Sequence, residues 1–148
     1  MKKITFLLCT LFSLSLSFGQ NGWTRTDEAK VTMLTKVNRS SHPTTFQLFH
    51  LDIEEFKKDL EGAPVRGSFS GRSKQLIYLP NENGVLERFY VMETPIMEPE
   101  LARKFPMIKS YAAQGADDPN SIARFSVTQF GLHNMTLSPG KSALYIDP

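Results

Sequence analysis

Cysteine is nearly absent: Cys9 is the only one in 148 residues. It lies inside an early apolar run, behind Leu7-Leu8 rather than behind small residues at the end of that run, so it does not fit a lipid-anchor cysteine. Once that segment leaves, the chain can have no internal disulfide, no thiolate zinc site and no cysteine nucleophile. Histidine is scarce too, with only His42, His50 and His133. The commonest zinc proteases grip their metal with two histidines one helical turn apart and a glutamate between them, and no such pair exists here. An excess of one charge is also missing. The chain has 17 basic and 15 acidic residues, and Lys2 and Lys3 account for the whole difference. A nucleic-acid or anionic-membrane partner ordinarily leaves a basic excess, so neither is expected. After residue 20 no apolar run is long enough to cross a bilayer as a helix. Internal repeats, low-complexity tracts and a phosphate-cradling glycine loop ahead of a helix are likewise lacking.

What is there begins with a leader. Lys2 and Lys3 precede an apolar run from Ile4 to Phe18, and Ser17-Phe18-Gly19 puts small residues at the two positions a signal peptidase reads. The run is shorter than the roughly 20 apolar residues a bilayer span needs. Residues 1–19 therefore read as a removable signal peptide, cut between Gly19 and Gln20, and the protein is expected to be exported, either secreted or held at the cell surface. About 129 residues remain, enough for one domain with a single core. The division expected is a signal over 1–19, a lead-in over 20–44 whose order the sequence leaves open, and a β-rich module over 45–148.

Hydrophobic patterning predicts strands at Val31–Val37 and Thr45–Leu51, with the turn Ser40-Ser41-His42-Pro43 between them. In the second, Phe46, Leu48 and His50 share one side and Gln47, Phe49 and Leu51 the other. A helix is predicted from Ile53 to about Glu61. Asp52 can cap it, Glu55 completes a capping box, and Ile53, Phe56 and Leu60 fall on one face. Gly62 can supply a left-handed stop, and Pro64 prevents resumption. Gln75–Leu79 and Leu86–Met92 read as strands around Asn81-Glu82-Asn83-Gly84, with Tyr90 and Met92 able to face Ile77 or Leu79 according to register. A shorter helix spans Met97–Phe105, with Pro99 in its first turn and Pro106 at its end. Ile108–Ala112, Ile122–Thr128, Leu132–Leu137 and Ala143–Ile146 complete the strands. The fold class expected is α+β, mainly antiparallel β-sheet with two short helices, preceded by the signal peptide. The chain stops at Asp147-Pro148 directly after a strand, which suggests a longer protein.

Candidate chemistry is sparse. His50-Leu51-Asp52 could offer a nitrogen and a carboxylate, but Asp52 is better explained as a helix cap. Gly67-Ser68-Phe69-Ser70-Gly71 resembles a nucleophile elbow except that Phe69 stands where the serine must be. Glu54-Glu55 and Asp117-Asp118 are adjacent in sequence, so the side chains of each pair diverge, and a solvated helix start and a turn explain them. Asn38-Arg39-Ser40 and Asn134-Met135-Thr136 fit the N-glycosylation pattern. Arg124 and Tyr111 are the polar residues hardest to dismiss. They read as a sheet-edge arginine and a half-buried tyrosine rather than as a binding site. No catalytic, cofactor-binding or metal-ligating residue is assigned.

Residues 45–148 resemble the N-terminal pro-region of secreted reprolysin-like (metzincin) zinc metalloproteases found in flavobacteria and their relatives. The likeness is carried by Pro99-Glu100-Leu101-Ala102, Lys104-Phe105-Pro106, Ile108-Lys109-Ser110-Tyr111, Gly115 with Asp117-Asp118-Pro119, Arg124-Phe125 with Val127, and Leu137-Ser138-Pro139-Gly140-Lys141-Ser142 running to Tyr145-Ile146-Asp147-Pro148. In that family the segment precedes a catalytic domain whose extended histidine motif binds zinc. The resemblance thus implies a propeptide that assists folding or masks the active site of a metallopeptidase domain in cis. It implies no cofactor on this chain and zinc only in the parent enzyme. The family's catalytic residues match no position here, so this chain alone is expected not to cleave peptides. With Cys9 gone in the signal, masking has to be steric or use a carboxylate or carbonyl. The alternative is a free-standing exported binding or inhibitor domain acting in trans.

Overall fold

Successive side chains in a strand point to opposite faces, so a strand with one dry face alternates apolar and polar residues. Strand β6 (Ile122–Thr128) does so: Ala123, Phe125 and Val127 are buried, whereas Ile122 and Arg124 are exposed. The computed structural model describes residues 22–27, 43–68 and 70–148. Among them are eight strands in two antiparallel sheets and two short helices, an α+β fold dominated by β-structure. The larger sheet is a six-stranded meander in chain order: β3 (Leu76–Pro80), β4 (Leu86–Glu93), β5 (Lys109–Gly115), β6, β7 (Gly131–Leu137) and β8 (Leu144–Ile146). The smaller one pairs β1 (Trp23–Thr26) with β2 (Leu48–Leu51), Trp23 opposite Leu51. The signal-peptide region with Cys9, Gly19 and Gln20, the strand expected at Val31–Val37, and Asn38, His42 and Phe69 lie outside the described residues.

Helix α1 (Ile53–Leu60) starts where the capping chemistry places it. The Asp52 Oδ1 accepts from the backbone N–H groups of Glu54 and Glu55 at 3.1 and 3.0 Å, satisfying two of the orphan donors of the first turn. The return arm of a capping box is not made, because the Asp52 N–H donates instead to the Gly22 carbonyl at 2.8 Å and so ties the helix start to β1. Gly62 is not the left-handed stop that the sequence suggests, since it is not among the described glycines with positive φ. Its lack of a side chain has another cause: a Cβ there would meet the Gln75 Oε1 at 2.6 Å. Gln75 needs that room because its Nε2 donates to the Asp59 carbonyl, also at 2.6 Å.

The hairpin between β3 and β4 fixes its register through a three-residue loop. Asn81 N donates to Val85 O at 2.9 Å and Gly84 N to Asn81 O at 2.9 Å, with Gly84 at φ 77°. A type I turn closed by a left-handed glycine has this pattern. It brings Ile77 opposite Phe89 and Leu76 opposite Tyr90. Neither pairing expected for Tyr90 and Met92 occurs: the loop puts Phe89 and Val91 in the core and turns Tyr90 and Met92 to the other face.

Only one face of the large sheet is covered within the described residues. Ile77, Leu79, Phe89, Val91, Ala113, Phe125, Val127 and Leu132 form the core with Phe56 and Leu60 of α1 and Trp23 of β1. An aromatic chain runs through it. Trp23 meets Phe49 and Phe56 edge-on at 6.0 and 6.3 Å, Phe56 meets Phe125 at 6.0 Å, and Phe125 stacks on Tyr111 at 5.0 Å. The Trp23 indole N–H donates to the Tyr78 carbonyl at 2.9 Å, which satisfies one backbone acceptor on edge strand β3. The sequence assigns no element to residues 23–26, yet Trp23 belongs to the core. Helix α2 (Pro99–Lys104) is shorter than expected, begins with Pro99 and buries none of its residues.

Phe56 is wholly inaccessible to solvent, and removing its ring leaves a cavity at the junction of all three layers. Phe56→Ala is expected to lower the unfolding free energy by about 3–5 kcal/mol. Phe130, 74% exposed in the β6–β7 turn, is the control: Phe130→Ala is expected to change it by no more than about 0.5 kcal/mol. Urea titration followed by tryptophan fluorescence measures both.

Candidate functional site

The strand registers set out the uncovered face of the large sheet as rows of side chains. One row crosses all five strands from β4 to β8: Met92, Ala112, Arg124, Met135 and Tyr145. The next is polar, with Ser110, Ser126 and His133 side by side on β5, β6 and β7. The Ser110 and Ser126 hydroxyls are hydrogen-bonded at 3.2 Å. At the far end of this row the His133 Nδ1 lies 3.4 Å from the Asp147 Oδ1. Between these rows and the start of the β4–β5 connection is a shallow depression of about 330 Å³, with Thr94 and Ile96 on its border. A second recess, between the β3–β4 turn and the β7–β8 loop, holds only about 10 Å³ and has room for no more than a water.

Arg124 is the one permanent cation among the described residues lining the depression. It lies on β6, with three strands on one side of it and two on the other, so it is not the sheet-edge arginine that the sequence suggests. Its guanidinium makes no ion pair or hydrogen bond with any described residue. Its direct cross-strand neighbours are Ala112 and Met135, neither of which can balance its charge. Asp147 is the only acid among the described lining residues, and it lies 3.4 Å from the His133 imidazole.

Tyr111 is more deeply buried than expected, 5% exposed and stacked on Phe125. Burial, with a smaller contribution from the carboxylate of its cross-strand neighbour Glu93, pushes its phenol up to about 12 from an ordinary 10.0. It is thus a core residue on the covered face and not a reactive group.

The remaining candidates disperse. His50 is exposed on β2 opposite Thr24, in a different sheet from His133. Asp52 is the cap of α1. Glu54 pairs with Lys57 at 2.7 Å. Asp117 is held by Arg88, whose guanidinium keeps that carboxyl below the usual range. Asp118 turns away to accept from the Asn120 N–H and the Ser121 hydroxyl, which lower its pKa too. Ser68 sits in a turn, both its N–H and its hydroxyl donating to the Val65 carbonyl. Among the described residues no three His, Cys, Asp or Glu side chains are grouped so as to hold a metal ion, and no helix is long and apolar enough to cross a membrane.

Asn134 of the second glycosylation pattern is buried on the covered face, its Nδ2 donating to the Thr136 Oγ1 at 3.0 Å. Comparison with known proteins gives no match: no family model fits the chain, and no curated protein and no solved structure is significantly similar to it.

Two measurements check these assignments. Absorbance titration at alkaline pH is expected to show one of the four tyrosines ionising near pH 12, and Tyr111→Phe is expected to remove that step. Because the folded pKa lies above the unfolded one, the unfolded chain loses its proton first, so the stability contributed by neutral Tyr111 is lost as pH rises from about 10 to about 12. Peptide mapping of folded protein from a glycosylating host is expected to find Asn134 unmodified, since a glycan there cannot be accommodated against the core.

Proposed function

We propose that this chain is the non-catalytic pro-domain of an exported zinc metallopeptidase precursor, which assists the folding of a catalytic domain or covers its cleft. The reading rests on the resemblance of residues 45–148 to reprolysin-like pro-regions. One structural observation supports it: among the described residues the sheet is covered on one face only, and the other face carries exposed Ile122 and Leu137, with exposed Ile96 and Tyr145 lining a depression. A pro-domain needs such a face, because it must bury a second folded surface without spending its own core to do so. Zinc and the hydrolytic groups belong to the partner domain. This chain contributes shape, apolar area and hydrogen-bonding groups, and its masking is steric or uses a carboxylate or carbonyl. The leader over 1–19 directs export, and no nucleic acid or membrane partner is part of the reading.

The gene supplies the first test. In-frame codons after that for Pro148 are expected to encode a helix with two histidines four residues apart, a glutamate between them and a third histidine soon after. A stop codon there overturns the in-cis reading and leaves a binding or inhibitor domain acting in trans. The encoded catalytic domain, refolded separately, is expected to lose hydrolysis of a fluorogenic peptide when the purified chain is added, with an inhibition constant of roughly 1 μM or tighter. Undiminished hydrolysis at tenfold higher concentration argues against masking.

A further inference from the structure

We infer that the depression around Arg124 is a binding site for a single carboxylate, presented as an aspartate or glutamate side chain on a protein segment with aliphatic neighbours. The inference deepens the pro-domain reading and rests on it only for the identity of the protein that presents the acid.

The charge arrangement carries the argument. A guanidinium in the middle of a sheet, between Ala112 and Met135, has no anionic partner among the described residues. Its planar fork of donors matches a carboxylate in a way that no other side chain does. Ser126 stands two residues along the same strand on the same face, hydrogen-bonded to Ser110, and Tyr145 brings a phenol from β8 beside Met135. These hydroxyls offer donors to the second oxygen of an acid seated on Arg124. One cation with neutral donors suits a monoanion. A phosphate, with nearly two charges at neutral pH, would face the Asp147 carboxylate with only one permanent cation to compensate it.

The surroundings indicate a peptide and not a free small acid. Ile96, 76% exposed, borders the depression, and Ile122 and Leu137 lie in the neighbouring row of the same face. A free acid leaves those side chains wet, whereas an aliphatic residue flanking the acid covers them. A volume of about 330 Å³ is at the small end of ligand sites, enough for one acidic side chain and part of its backbone.

The test titrates the purified, isotope-labelled chain with the capped peptides acetyl-Leu-Glu-Leu-amide and acetyl-Leu-Gln-Leu-amide, and with sodium acetate, followed by NMR. The acidic peptide is expected to give saturable shifts of the Arg124 side-chain N–H and of the Ser110 and Ser126 amides, with a dissociation constant of roughly 1 mM. The amide peptide is expected to bind about tenfold more weakly, as is acetate. Arg124→Gln is expected to abolish the preference for the acid, and Arg124→Lys to keep part of it. Inner-face amide shifts report whether each variant is folded. Equal binding of the two peptides, or no saturable shift at roughly 10 mM, overturns the site; this comparison uses the unaltered chain and stands even if a variant misfolds. Acetate binding as well as the acidic peptide overturns the peptide assignment. No protease enters the experiment, so its failure leaves the pro-domain reading intact, and a stop codon after Pro148 leaves this site intact.

Discussion

The contact on which the domain depends is the aromatic chain that runs edge-to-face from Trp23 through Phe56 to Phe125 and ends in the stack of Phe125 on Tyr111. A meander of antiparallel strands makes all its hydrogen bonds between neighbours, and a hairpin by itself is marginal in water. Pairing alone therefore yields a ribbon with two wet faces. The aromatic chain runs across the layers and joins the β1–β2 ribbon, α1 and two central strands into one core. Each ring contact contributes about 0.5–1.5 kcal/mol beyond area burial, which matters beside a total stability of order 5–15 kcal/mol. The Asp52 N–H bond to the Gly22 carbonyl and the Trp23 bond to Tyr78 act in the same direction, holding the ribbon where the rings can meet.

Committing one face to that core determines what the other face can be. A residue on the inner face is constrained by volume: Ala113 and Ala123 lie opposite each other, and Val91, the other cross-strand neighbour of Ala113, is buried beside them with Phe89. The outer face has no such constraint, and its composition differs accordingly. Serines stand opposite serines, Arg124 lies between an alanine and a methionine, and Arg72 lies over the ring of Tyr90 at 5.7 Å. Polar groups inside a core need partners, but here water can serve until a protein surface replaces it. The same two-residue alternation explains why Asn134 and Thr136 cannot act as a glycosylation site while Met135 between them reaches the outer face.

Those parts of the fold whose determinants are local were legible in the sequence. Asp52 followed by Ile53, Phe56 and Leu60 defines a capped amphipathic helix without reference to anything else, and β6 lies over Ile122–Thr128, where the sequence reads as a strand. The β3–β4 register was not legible, because Phe89, Tyr90, Val91 and Met92 are apolar on both parities and only the loop geometry decides which pair is inside. Strand β1 was missed for a related reason. Trp-Thr-Arg-Thr carries one apolar residue, and its pairing partner, Leu48–Leu51, is distant in sequence. Arg124 was conspicuous in an apolar strand, but its place in the middle of the face follows from the order of six strands, which no local pattern contains. The depression is harder still, since four strands and one connection contribute to it.

Strand β8 connects the stability of the fold with its open face. It is held by three residue pairs along β7, by Ile146 packed against the core, and by two exposed contacts, the Glu82–Lys141 ion pair at 2.6 Å and the His133–Asp147 contact at 3.4 Å. Exposed contacts of this kind contribute little and are screened by salt, so β8 rests mainly on its pairing with β7 and on Ile146. Tyr145 and Asp147, which close one side of the depression, belong to β8 and to the residue that follows it. An occupant that touches Arg124 and Tyr145 together binds only when β8 is in place, and by linkage it stabilises β8 to the same extent.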